Sequence, residues 1–121
     1  MAQTNKRSIG QLGEDAVCAY LQQKGAEILC RNFTIRGGEL DIIAALGEYL
    51  LFVEVKTRRP NALLSGAAAV TPRKQTLLIR TAEAYLLQNP SDLQPRFDVA
   101  EVEYSGSTVR HITYLENAFY A

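Results

Sequence analysis

The stretch Gly38–Lys56, GELDIIAALGEYLLFVEVK, constrains this chain more than any other. It consists of two apolar runs of strand length around Gly47-Glu48. A Gly-X pair between such runs is the signature of a two-residue type II′ hairpin turn. That turn sets Leu46 opposite Tyr49, and by the same count Asp41 opposite Glu54. Directly opposed residues have Cα atoms ~4.5–5.5 Å apart. Glu54 and Lys56 are two apart in one strand and so share a face. Three charged side chains then converge where Ile43 and Phe52 mark a core. Like charges directly opposite destabilise a sheet, and burial adds a desolvation cost. A divalent cation together with Lys56 is the economical compensation. The competing reading is a Glu54–Lys56 ion pair at a solvated strand end. A one-residue change of turn would put Asp41 on the other face.

The remaining segments supply a scaffold. From about Arg7 to Lys24 the apolar residues Ile9, Leu12, Ala16, Val17, Tyr20 and Leu21 recur at helical spacing, and Gly25 follows as a stop. Gly10 and Gly13 each weaken that helix by about 1 kcal/mol relative to Ala, which points to close approach of another backbone. Glu14 falls at the margin of the apolar arc and can point toward a sheet, whereas Asp15 falls on the solvent face. A helix-flank role near the N-terminal dipole is the alternative for Glu14. Ala26–Ile35 reads as a first strand, Leu40–Leu46 and Tyr49–Thr57 as the hairpin, and residues 58–70 as a mobile loop. Thr71 and Pro72 cap a second helix that runs to about Gln88. On it Lys74 shares the side of Leu78, Thr81 and Tyr85, Gln75 lies on the other flank, and Arg73 points away. Arg96–Tyr104 and Thr108–Leu115 read as two further strands around a Ser105-Gly106-Ser107 turn. Asp98 has no convergent partner in this reading and is taken as structural, and His111 as an exposed strand residue.

The order α-β-β-β-α-β-β predicts one α/β domain spanning residues 1–121, with a mixed sheet of about five strands flanked by helices. Residues 1–6 are expected to fray. No apolar run reaches the ~20 residues of a membrane helix, and no apolar block follows the basic N-terminus, so a cytoplasmic protein without membrane association is expected. Cys18 and Cys30 match no metal or redox spacing and read as buried thiols, and a single histidine, His111, argues against zinc. The formal net charge is zero, yet residues 55–80 hold six basic side chains and no acid. A basic segment beside an acidic cluster suits a phosphate ligand, with Arg58, Arg59, Arg73, Lys74 and Gln75 as candidate contacts. A solvated surface loop is the alternative.

An Asp on one strand and Glu-x-Lys on the next suits metal-dependent phosphodiester hydrolysis. Carboxylates are hard oxygen ligands for Mg²⁺, with Mn²⁺ as a substitute. The metal lowers the pKa of water and neutralises developing charge, and the lysine adds a positive charge beside the nucleophile.

Several motifs together carry a resemblance: Gly10-x-x-Gly13-Glu14, Arg31-Asn32-Phe33, Arg36 through Ile43, Phe52-Val53-Glu54-Val55-Lys56-x-Arg58, Lys74, and Arg96-Phe97-Asp98-Val99. Over nearly its whole length the chain resembles the YraN-like family of the PD-(D/E)XK, restriction-endonuclease-like nucleases. The resemblance implies a restriction-endonuclease-like fold and cleavage of DNA, including branched or damaged DNA as in Holliday-junction resolvases. It implies Asp41 and Glu54 as metal ligands, the Val55 backbone carbonyl as a further one, Lys56 as the catalytic lysine and Glu14 as a helix-borne acid acting through water. Leu40 stands before Asp41 where some members have Pro, which costs no ligand. The likeness to junction resolvases implies a homodimer as the expected acting form. Two other readings compete: a nucleic-acid-binding adaptor that retains the fold without turnover, and a structural oligomer whose acids form ion pairs.

Overall fold

The computed structural model describes residues 8–60 and 70–120. The expectations for residues 1–6, and for residues 61–69 of the 58–70 stretch, lie outside the described residues. The elements are α1 (Ile9–Gln23), β1 (Glu27–Ile35), β2 (Gly38–Leu46), β3 (Tyr49–Arg58), α2 (Pro72–Gln88), β4 (Gln94–Ser105) and β5 (Thr108–Phe119). The predicted α/β order is observed. Arg58 closes β3 rather than opening a loop, because β3 pairs with β4 through Arg58↔Glu103.

Local chemistry sets the ends. Ser8 caps α1 in a reciprocal capping box with Gln11, its hydroxyl accepting from Gln11 N at 3.1 Å. Thr71 caps α2 and accepts from Lys74 N at 3.2 Å, with Pro72 in the first turn. The hairpin turn has Gly47 at φ +60° while Glu48 keeps a negative φ, as a type II′ turn requires.

The sheet order is β1-β2-β3-β4-β5. Only β3 and β4 run parallel, and α2 lies in the crossover between them. β3 is central and buried on both faces, which explains its continuous apolar run. Leu51 and Val53 face α1 with Val17, Leu21, Ile42, Ala100 and Val102. Leu50 and Phe52 face α2 with Leu78, Ala82, Tyr85, Phe97 and Val99. The two helices therefore cover opposite faces. On the α2 side an aromatic chain, Phe33–Tyr85–Phe52–Phe97–Phe119, links β1 to β5 with ring centroids 5.0–6.1 Å apart. Among the described residues no helix is long and apolar enough to cross a membrane.

β5 continues four residues past the predicted Leu115, and Asp98 is the reason. Register shifts between Phe97↔Phe119 and Val99↔Leu115, and Asn117 takes φ +52° in the bulge. The buried Asp98 carboxylate accepts Asn117 N–H at 3.0 Å, the Tyr114 hydroxyl at 2.6 Å and the Arg96 guanidinium at 2.9 and 3.0 Å. It thus has convergent partners, contrary to expectation, but all of them are structural. Two of the three, Tyr114 and Asn117, lie in β5 rather than in its own strand. Burial beside this carboxylate pushes the Tyr114 hydroxyl pKa upward. Asp98→Asn removes the buried charge that Arg96 pairs with at 2.9 Å, leaving Glu116 at 3.7 Å, and is expected to cost roughly 3 kcal/mol in chemical denaturation.

Of the two early glycines, only Gly13 marks a close approach. A Cβ there would collide with Thr57 Cγ2, whereas one at Gly10 would meet only Ser8 Oγ at 3.9 Å. Gly13→Ala is expected to destabilise by ~1–3 kcal/mol, with most of the loss recovered by Thr57→Ser. Gly10→Ala is expected to stabilise by roughly 0.5 kcal/mol. Urea denaturation of the three variants reads both effects.

Candidate functional site

The hairpin register holds as derived from Leu46↔Tyr49 to Ile42↔Val53. One pair further, where Asp41 would face Glu54, the ladder ends. The Asp41 carboxylate fills the gap instead, and its Oδ2 accepts the Val55 N–H at 2.7 Å. Asp41 and Glu54 both line a cavity of about 110 Å³ with Gly37, Gly38, Lys74 and Leu78. Gly38 is required at this wall, since a Cβ there would meet the Thr81 hydroxyl of α2.

Glu54 is 5% exposed, so it carries its charge out of water. Two ammonium groups converge on one of its oxygens, Lys56 Nζ at 3.4 Å and Lys74 Nζ at 3.3 Å. Lys56 comes from the same strand face. Lys74 comes from the first turn of α2, which the Thr71 cap aims at the end of β3. The sequence placed Lys74 among the nucleic-acid contacts, and the fold brings it directly onto the acid pair.

Desolvation pushes the Asp41 pKa up to about 7, and the neighbouring Glu54 charge adds to it. The Val55 N–H pulls the other way, and the Glu14 charge raises it slightly. Asp41 therefore keeps its proton to higher pH than an ordinary carboxyl group. The Asp41–Glu54 pair could hold a cation, since it presents hard oxygens and would gain from positive charge.

The other predicted residues divide. Glu14 does not touch Glu54. Its Oε1 accepts from the Asn32 amide at 3.1 Å and from Arg31 at 3.4 Å. Asp15 is not on a free solvent face: Arg31 reaches back from β1 and pairs with it at 2.8 Å. A long guanidinium stem spans the gap that helix geometry alone assigns to solvent. Arg58 lies 3.2 Å from Glu101 Oε2, an ion pair without hydrogen-bond alignment. The Gln75 amide donates to the Val70 carbonyl at 3.1 Å. Arg73 is exposed, as read from the sequence, and Arg59 is exposed beside Pro60 and Tyr104. His111 is exposed, and of the two unpaired thiols Cys18 is buried and Cys30 half-buried. Among the described residues no three acid, histidine or cysteine side chains cluster as a metal group, so two carboxylates are the whole side-chain donor set. Sequence reasoning missed Arg31 and Asn32 as the holders of Glu14. The available signal was an Arg-Asn pair inside an otherwise regular strand.

Residues 13–102 match the family model described as Uncharacterised protein family UPF0102. The chain belongs to this family. A UPF0102 protein of Symbiobacterium thermophilum is 42% identical over 116 residues, which cover 95% of this chain and 98% of the relative. One of Geobacter sulfurreducens is 40% identical over 116 residues, covering 95% and 91%. One of Caldanaerobacter subterraneus is 36% identical over 122 residues, covering 98% and 100%. The UPF0102 match spans Glu14, Asp41, Glu54, Lys56 and Lys74.

The raised Asp41 pKa has a sign for stability. The folded form holds a proton that the unfolded chain releases near pH 4, so the stability it contributes is full at low pH. It is lost as pH rises toward and through about 7. Denaturation midpoints of metal-free protein are therefore expected to fall from about pH 4 to about pH 7 and level off above, and Asp41→Asn is expected to flatten that fall.

Proposed function

We propose that this UPF0102 protein is a metal-dependent nuclease that hydrolyses phosphodiester bonds of DNA, with branched or damaged DNA as the preferred class. One observation carries the reading: a buried Asp41–Glu54 pair with Lys56 and Lys74 within 3.4 Å of Glu54, at the edge of a small cavity. A structural role does not require two acids at one point of a sheet, where they repel each other.

Asp41 and Glu54 are the residues that would hold Mg²⁺ or Mn²⁺, with the Val55 carbonyl as a further oxygen and Glu14 acting through water. The bound metal would supply Lewis-acid charge and a lowered pKa for water at neutral pH. The chain's own groups do the rest. Lys56 and Lys74, which pair with Glu54 here, would with the metal bound be free to face phosphoryl oxygens, where their charge would offset the negative charge that builds up in the transition state. The Val55 N–H fixes the Asp41 carboxylate, so the ligand is oriented before substrate arrives. Arg59 and Arg73, both exposed, bind the flanking phosphates.

A second reading draws on the same contacts. Lys56 and Lys74 already neutralise Glu54, and the donor set holds only two side-chain carboxylates. Those facts also suit a nucleic-acid-binding module without turnover.

The deciding experiment is a cleavage panel of linear, flap and four-way DNA with Mg²⁺ and with Mn²⁺. Wild type is expected to cut at least one substrate, with Glu54→Ala and Lys56→Ala each slower by roughly 10²–10³-fold. Equal cleavage by both purified variants rules the nuclease reading out. Salt-sensitive binding without cleavage of any substrate favours the binding module.

A further inference from the structure

The helix α1 and the carboxylate cavity lie on opposite faces of the sheet, since the core around α1 and the core around α2 are separate. A side chain of α1 can approach Asp41 only where the sheet is open. By the β1–β2 register Asn32 stands opposite Asp41. The pairs on either side, Arg31↔Ile42 and Phe33↔Leu40, form in the ladder, and this one does not. Ladder pairing of β2 with β3 also stops beside Asp41. The opening is therefore centred on one residue of β2 and one of β1.

Side-chain parity slips at the same point on both strands. Cys30 and Phe33, three apart, both pack into the α2-side core, as do Leu40 and Ile43. Regular alternation sends residues three apart to opposite faces. In β1 the slip is absorbed by Asn32, whose φ is +54°. A left-handed non-glycine residue inside a strand is uncommon, and asparagine tolerates it better than most. Glycine would satisfy the backbone equally well, so the conformation alone does not explain why the residue has a side chain. That side chain has a partner: its amide donates to Glu14 Oε1 at 3.1 Å. Arg31 reaches the same oxygen only at 3.4 Å and is engaged by Asp15 at 2.8 Å.

We infer that Asn32 is a positioning residue, whose left-handed backbone opens the sheet at Asp41 and whose amide holds Glu14 in the opening. An α1 carboxylate is thereby presented to the Asp41–Glu54 pair from the far face. That this helps catalysis rests on the nuclease reading, whereas the hold on Glu14 does not.

Two measurements separate these claims. In ¹H–¹⁵N spectra of metal-free protein, the Asn32 side-chain amide is expected away from free-amide positions, and Glu14→Ala is expected to return it there. The same free-amide positions in both proteins overturn the inference, whatever the enzyme does. The second measurement is affinity for Mn²⁺ alone. Asn32→Gly and Asn32→Asp both tolerate the left-handed backbone and are expected to fold with a wild-type far-ultraviolet spectrum. Each is expected to weaken Mn²⁺ about 10-fold, as loss of an outer-shell partner does. Asn32→Gly is expected to add nothing in a Glu14→Gln background. Unchanged affinity in Asn32→Gly, or full additivity with Glu14→Gln, overturns the positioning role. If the wild type binds no Mn²⁺, the nuclease reading fails, and the amide spectra alone decide the claim for Asn32.

Discussion

Two carboxylates buried at one point of a sheet repel each other, and the surroundings of this pair are arranged to contain that repulsion. Asp41 is held by a backbone N–H and by a proton that desolvation retains up to about pH 7. Lys56 and Lys74 both reach Glu54. The compensating groups come from two elements: β3 supplies the N–H and Lys56, and α2 supplies Lys74. Moving any of these elements would leave a buried acid uncompensated, at a cost of several kcal/mol. The same compensations are labile. A proton and two flexible ammonium groups can all be displaced by one divalent cation, which is why the pair reads as a binding site rather than a fixed ion-pair network. Asp98 is the contrast within the same sheet. It accepts from a guanidinium, a hydroxyl and a backbone N–H, has nothing left to offer, and serves the fold.

The scaffold brings these groups together through tight contacts at its two small residues. Gly13 lets α1 press against Thr57 at the end of β3, and Gly38 lets α2 press against the start of β2 through Thr81. Both contacts lie within a few residues of the acid pair. The aromatic chain across the α2 face ties the edge strands to the centre, so the opening at Asn32 and Asp41 sits inside a rigid frame.

Much of this was legible because it is local. The Gly47-Glu48 turn sets a register by counting, and that count placed Asp41, Glu54 and Lys56 together before any coordinates. Thr71-Pro72 and the helical spacing beyond it placed Lys74 on the inward side of α2. What escaped depends on contacts between distant segments. The end of the ladder at Asp41 follows from the parity slip at Asn32, and nothing within either strand announces it, since both keep a strand-like composition. Asp15 is drawn out of solvent by an arginine sixteen residues away. The added length of β5 depends on a carboxylate in β4 that captures the N–H of Asn117. Arg58 reads as loop beside Pro60 until β4 is there to pair with it. In each case a long side chain or a neighbouring strand overrides the local pattern.

The central claim is that the Asp41–Glu54 pair is a cation site, and an anomalous difference map from crystals grown with Mn²⁺ tests it most directly. The account predicts one peak at about 2 Å from a carboxylate oxygen of each of Asp41 and Glu54. It also predicts that Lys74 Nζ has left Glu54. A map with no peak there, and with Lys74 still paired to Glu54, would contradict the account.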